Sequence, residues 1–162
     1  MRIVQLPDTD LRVSVLCLGT TRIGSEVSRD DSFRMLDEFA GQGGTFVDTA
    51  SVYANWLPGP RHISEKTIGA WLQRTGKRNA MVIATKGAHP ELATMQVGRM
   101  SRTEIEQDLA TSLANLQIDV VDLYWLHRDD RARPVEEIVE TLEAQVAAGK
   151  IRGLRVTSRV PC

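Results

Sequence analysis

The chain reads as an α/β protein built from parallel βα units, and three observations carry that prediction. Short β-branched or aromatic runs alternate with longer segments of helical period. The runs begin roughly 30 to 40 residues apart, the length of a strand–loop–helix–loop unit. Within the runs, apolar residues stand at consecutive positions rather than alternate ones, as in strands covered on both faces. Two architectures answer to this pattern, an open doubly wound sheet and a (β/α)8 barrel.

The elements follow in order. Segments 3–6 and 11–13 flank Pro7-Asp8-Thr9-Asp10, a string of turn formers, and read as a β-hairpin ahead of the units. Strands are expected over 15–19, 45–49, 81–86, 121–127 and 153–157. The first helix, 31–42, presents Phe33, Leu36, Phe39 and Ala40, and the second, 64–75, presents Ile68, Trp71 and Leu72. The third, 101–116, has Ile105, Leu109, Leu113 and Leu116 at helical spacing, and Ser101 three residues before Glu104 marks its start as a capping box. Pro134 suits the first turn of the fourth helix, whose apolar face is Ile138, Val139, Leu142 and Val146. Gly149, after Ala148, is a helix stop. No linker interrupts the pattern, so 1–162 reads as one domain, with a hairpin over 1–14, βα units over 15–158 and a divergent tail over 159–162.

Composition narrows the function. A chain of 162 residues, 42% hydrophobic and 25% charged, has the balance of a soluble globular domain. Lys plus Arg number 20 against 21 Asp plus Glu, and so slight a net charge leaves no electrostatic footprint for nucleic acid or an anionic membrane. Apolar runs such as 81–84 are too short to span a bilayer, and residues 1–10 lack the apolar stretch of a signal peptide. Cys17 falls in an expected buried strand and Cys162 is the last residue, so no structural disulfide is expected, and the compartment reads as cytoplasmic. Neither a phosphate-binding G-x-x-x-x-G-K-[ST] loop nor a G-x-G-x-x-G string after a strand occurs. His62, His89 and His127 lack metal-ligand spacing, so no metal site is expected. Arg128-Asp129-Asp130-Arg131 reads as a solvated loop of compensating charges.

Polar residues gather where the expected strands end: Thr20 and Thr21, Asp48, Lys86 and His127. In a parallel α/β barrel these ends converge on one mouth, where such proteins build their sites. Singly, each residue has a plain explanation: a turn-capping Asp, a solvated Lys, a hydrogen-bonded loop His. At equivalent positions of successive units they point to a reaction centre instead. Tyr53, five residues past Asp48, can lean over the same mouth. A phenol is a weak acid near neutrality, and a neighbouring ammonium stabilises its anion. Lys86 can supply that charge, Asp48 can hold Lys86 protonated and oriented, and His127 can donate to a substrate carbonyl or relay a proton. Such a set suits carbonyl reduction, with hydride going to carbon and a proton to oxygen. No side chain supplies hydride, so a nicotinamide cofactor is implied.

Several strings carry a resemblance. Gly19-Thr20, Phe46-Val47-Asp48-Thr49-Ala50 with Tyr53, Ala84-Thr85-Lys86, Asp122-Leu123-Tyr124-Trp125-Leu126-His127 and Gly149-Lys150-Ile151-Arg152 resemble the aldo-keto reductase family, in its order and at its spacing. Ser64-Glu65 followed by Gly69 is similar to the start of the second helix in the bacterial branch of that family. The likeness runs from Leu6 to about Val156. It implies a (β/α)8 TIM-type barrel closed at its base by the N-terminal hairpin, with NADPH as reductant and an aldehyde or ketone as substrate. It implies Tyr53 as general acid, Lys86 and Asp48 as its tuning pair and His127 as the carbonyl-orienting residue. Cofactor contacts are expected at Gly19, Thr20, Thr21, Asp48, Thr157 and Ser158, although Ser158 is a poor replacement for the family's amide.

A whole barrel of this type has eight strands in about 250 residues. Five core strands and four helices are read here, and the pattern drifts over Arg155-Val156-Thr157-Ser158 and the tail. The expectation is therefore a truncated barrel lacking the later units that hold much of the cofactor. Two readings follow: an NADPH-dependent reductase, or a catalytically inactive remnant or interaction module unable to hold cofactor. Open parallel edges and an apolar inner face predict self-association of such a chain.

Overall fold

A computed structural model describes residues 1–130 and 132–156. The hairpin pairs β1 (Ile3–Gln5) antiparallel with β2 (Arg12–Ser14), with Ile3 opposite Ser14 and Gln5 opposite Arg12. Thr9 holds its turn, its hydroxyl donating to the Leu6 carbonyl at 2.9 Å and accepting from the Leu11 N–H at 3.2 Å. The units follow as β3 (Cys17–Gly19), α1 (Arg29–Gly41), β4 (Phe46–Asp48), α2 (Ile63–Thr75), β5 (Val82–Gly87), α3 (Arg102–Leu116), β6 (Val121–Leu126), α4 (Val135–Ala147) and β7 (Ile151–Val156), with a 3₁₀ turn at Lys77–Ala80 before β5.

Strand order decides between the two architectures. The five unit strands pair in parallel in the order β3-β4-β5-β6-β7, so each crossover leads to the adjacent strand and the order never reverses. A doubly wound sheet reverses at its switch point; a barrel does not. This is barrel-type winding.

The two-residue period of the strands sorts side chains to the two faces. Inward lie Val82, Ala84 and Leu123, with Phe46 and Trp125 against them, and hairpin residues Leu11 and Val13 pack into this cluster. The hairpin thereby covers the inner face. Outward, Val47 and Ile83 meet Leu36, Ile68, Trp71 and Leu72 of α1 and α2. A second outer cluster joins Ile105, Leu109, Tyr124, Ile138, Leu142 and Ile151. Where α2 crosses α3, Gly69 sits against the Asn115 and Leu116 carbonyls, and a Cβ there would fall 2.7 Å from the Leu116 carbonyl carbon.

Helix ends follow local chemistry. The capping box on α3 is complete: Ser101 Oγ accepts from the Glu104 N–H at 3.3 Å, and the Glu104 carboxylate accepts from the Ser101 N–H at 3.0 Å. Ser28 caps α1 through the Asp31 N–H, so that helix starts at Arg29, earlier than the expected 31. Pro134 stands at the N-cap of α4, one position before the first turn. Gly149 ends α4 in the left-handed region, at φ +72°. No helix among the described residues is long and apolar enough to cross a membrane.

The edges depart from expectation. β3 spans three residues instead of 15–19, Val15 and Leu16 are exposed, and Cys17 is exposed rather than buried. The reason is its place: β3 has one strand neighbour, β4, among the described residues, whereas β5 and β6 are paired on both sides and buried along most of their length. Consecutive apolar positions report two covered faces only in those central strands. β7 begins at Ile151, ahead of the expected 153; the end of that expected strand and the tail 159–162 lie outside the described residues.

Candidate active site

Asp48 is the last residue of β4 and pairs with Ala84, so Lys86, two residues further along β5, stands beyond it on the same face. His127 follows β6 directly, and its backbone N–H donates to the Gly87 carbonyl at 2.9 Å. Tyr53 lies in the loop between β4 and α2. That loop is tied by the Asn55 side chain, which donates to the Ser51 carbonyl at 3.2 Å and accepts from the His62 N–H at 2.7 Å. The His62 Nδ1–H donates to the same Ser51 carbonyl at 2.7 Å, giving His62 a structural place at the N-cap of α2.

The four expected catalytic residues come together. Lys86 Nζ donates to Asp48 Oδ2 at 2.6 Å, to the Thr49 carbonyl at 2.8 Å and to the Tyr53 hydroxyl at 2.9 Å. These three acceptors occupy all three ammonium protons. The phenol oxygen accepts from Lys86, which leaves its own proton for another acceptor; the Asp48 carboxylate receives it only at 3.4 Å. The His127 ring lies edge-on to Tyr53, with centroids 6.0 Å apart.

His127 is held neutral. Burial pushes its pKa down to about 4, and proximity to His89, Lys86 and Arg128 works in the same direction. Its Nδ1 is buried without a hydrogen-bond partner among the described residues. A neutral imidazole carries one N–H and one bare nitrogen, so it can donate a single hydrogen bond.

The expected cofactor residues separate. Gly19 and Thr21 are exposed beside the mouth, and nothing stands within 4 Å of a Cβ position on Gly19. Thr20 is placed otherwise: it is fully buried, and its hydroxyl donates to the Asp48 carbonyl at 2.9 Å and accepts from Ser64 Oγ at 2.9 Å. It fastens β3 to β4 and α2, and its side chain faces no ligand space. Thr157 and Ser158 lie outside the described residues.

Three features escaped the sequence reading. His89 is buried against His127, with ring centroids 4.8 Å apart. Its only signal was a third His three residues past Lys86. Glu65, read as part of a helix start, is fully buried and accepts from Thr85 Oγ1 at 2.6 Å and Asn115 Nδ2 at 3.0 Å, joining α2 to β5 and α3. Asp122, at the opposite end of the sheet from the site, is also buried and ion-paired.

Sequentially wound parallel βα units with ionisable side chains meeting at the C-terminal strand ends define a protein of the (β/α)8 class. Comparison with known proteins gives the family. The profile described as "Aldo/keto reductase family" matches residues 15–159. The uncharacterized oxidoreductase YrpG of Bacillus subtilis is 36% identical over 156 residues, which cover 93% of this chain and 47% of that protein. The norsolorinic acid reductase stcV of Emericella nidulans is 33% identical, over 93% of this chain and 41% of that one. The holo form of the aldo-keto reductase AKR11C1 from Bacillus halodurans superposes with a TM-score of 0.80 at 28% identity, covering 97% of this chain and 51% of that one. The chain belongs to the aldo/keto reductase family of oxidoreductases. It spans about half the length of the relatives it matches.

Proposed function

We propose that this chain carries the carbonyl-reducing site of an NADPH-dependent reductase of aldehydes or ketones, with Tyr53 as proton donor. The observation that carries the reading is the saturated Lys86 ammonium, 2.9 Å from the Tyr53 hydroxyl and 2.6 Å from Asp48. A fixed positive charge beside a phenol favours the anion that forms when the phenol gives up its proton. Asp48 and the Thr49 carbonyl hold that ammonium in place, so the stabilisation is present before the reaction begins.

A nicotinamide cofactor fits the residues on this side of the mouth. Gly19 leaves open the space a side chain would occupy, Thr21 offers an exposed hydroxyl, and the Asp48 side chain remains partly exposed beside them. These residues would line one edge of the cofactor's seat, and the bound cofactor would supply hydride to the substrate carbon. The substrate oxygen would then lie between the Tyr53 hydroxyl, which gives the proton, and the neutral His127 ring, which donates one hydrogen bond and orients the carbonyl. A neutral imidazole is the useful form here, since a cation would compete with the phenol as acid.

The test has two parts. NADPH fluorescence titrated against the chain should saturate; a linear response with no saturation would favour a module that keeps the geometry without the cofactor. In the reductase, Tyr53→Phe should lower turnover by about 10²–10⁴-fold, the usual weight of a general acid, with cofactor affinity largely intact. Unchanged turnover in that variant would remove Tyr53 from the role.

A further inference from the structure

As the carbonyl-orienting residue of the proposed reductase, His127 has to present a neutral imidazole in a fixed plane. Its Nδ1 has no hydrogen-bond partner among the described residues, so no hydrogen bond there sets the ring's rotation. The groups facing it are Tyr53 from the loop after β4, Lys86 from β5, His89 from the loop after β5, and Arg128 next in the chain. Of these, His89 makes the nearer ring contact, edge-to-face at 4.8 Å with an interplanar angle of 76°.

His89 is itself held from several directions. Its Nδ1 lies 2.7 Å from the Pro90 carbonyl; a carbonyl only accepts, so Nδ1 carries the proton and the ring's rotation is set. Its own carbonyl accepts from Arg99 Nη1 at 3.2 Å. Arg99 in turn pairs with Asp108 of α3 at 2.9 Å, and the Asp108 carboxylate accepts from the Ala88 N–H at 2.8 Å. One ion pair thus grips the backbone on both sides of the Ala88–His89 peptide. Ala88, buried and at φ +58°, adopts a left-handed conformation that disfavours alanine and persists where surrounding contacts impose it. A buried imidazole so tightly fixed, with one face or edge spent on the candidate catalytic ring, is a built support.

We propose that His89 is a positioning residue for His127: clamped through Arg99 and Asp108, its ring fixes the plane of the His127 imidazole and keeps that ring shielded from water. The proposal rests on the reductase reading for its purpose, but its physical content concerns the free chain. His89 touches neither substrate nor cofactor in this scheme. It acts through His127.

The test therefore reads the ring before it reads turnover. The chain has three histidines, so imidazole NMR signals are assigned by replacing each in turn. In the wild-type chain, without nucleotide or substrate, a Tyr53–His127 ring cross-peak should be present and His127 should titrate near 4. In His89→Ala the cross-peak should weaken as the ring averages over rotamers, and the titration midpoint should climb toward 6.5. His89→Phe, which keeps a flat ring and loses the nitrogens, should retain the cross-peak. An unchanged cross-peak and midpoint in a folded His89→Ala chain would overturn the proposal. Should that variant lose cooperative unfolding, His89→Leu fills the space without a flat face, and the same two readouts decide. Where turnover is measurable, His89→Ala should lower kcat by up to about 10²-fold, the weight of a misplaced group, with nucleotide affinity unchanged. A wild-type chain with no turnover would remove the reductase reading and leave the NMR result standing by itself.

Discussion

The sheet carries a carboxylate paired with basic side chains at each end, and the two are used differently. At the N-terminal end, Asp122 of β6 has a side chain only 2% exposed, and both oxygens are engaged: with the Ile83 N–H at 2.8 Å, Arg78 at 2.8 Å and Arg152 at 2.9 Å. Those partners come from β5, the 3₁₀ turn and β7, and Arg152 reaches on to Asp10 in the hairpin turn at 3.0 Å. At the C-terminal end, the Asp48 side chain is 25% exposed, and Oδ2 alone meets both Lys86 and Tyr53. A carboxylate saturated by cations and backbone joins strands together. One left partly open beside two proton-bearing groups keeps capacity to act on something that arrives.

This contrast can be broken or sharpened by experiment, and the largest effect is expected at the closed end. Asp122→Ala removes the one buried acceptor that Arg78, Arg152 and the Ile83 N–H share and should cost about 3 kcal/mol of stability, read by urea unfolding. Asp48→Ala, at the partly open end, should cost less in the same measurement, because the Lys86 ammonium keeps the Thr49 carbonyl and the Tyr53 hydroxyl as acceptors. Equal costs would mean that Asp48 is as structural as Asp122. Between the ends, Gly69→Ala forces a methyl against the α3 carbonyls and should cost about 1–3 kcal/mol, which separates sheet cohesion from helix packing.

A further effect concerns pH. His127 is neutral down to about 4 in the folded chain and titrates near 6.5 when unfolded, so between those values the unfolded state binds more protons. Its contribution to stability is therefore full above about 6.5, declines as pH falls toward 4, and is level below that. His127→Asn should flatten this part of the pH dependence of the unfolding midpoint. A wild-type profile already flat from 6.5 to 4 would show that the open end admits water to the imidazole.

Much of the frame was legible in the sequence. The Ser101–Glu104 box places the start of α3, Gly149 ends α4, and Asp48, Lys86 and His127 declare themselves by standing where β-rich runs stop. The barrel winding was legible only through the family resemblance, because repeated βα units by themselves leave strand order open until β3 pairs with β4 and each later strand with its predecessor. Cys17 looked buried because its neighbours are apolar, but it sits on an edge strand. Thr20 looked available because it follows a strand, yet Ser64 and the Asp48 carbonyl enclose it. Asp122 lay within a recognisable string without revealing that it serves the opposite end from His127.

What the sequence determined by itself was the inventory: which segments become helices and strands, and which chemical groups stand at strand ends. Those properties depend on residues a few positions apart, through periodicity and capping. Tertiary structure alone decided which polar groups are saturated and which are left open. Lys86 meets Asp48 across 38 residues, and Asn115 meets Glu65 across 50. A local pattern can say that a carboxylate, an ammonium or an imidazole is present. Only packing between distant elements decides whether its hydrogen-bonding capacity is consumed, and a group can do chemistry only with what remains.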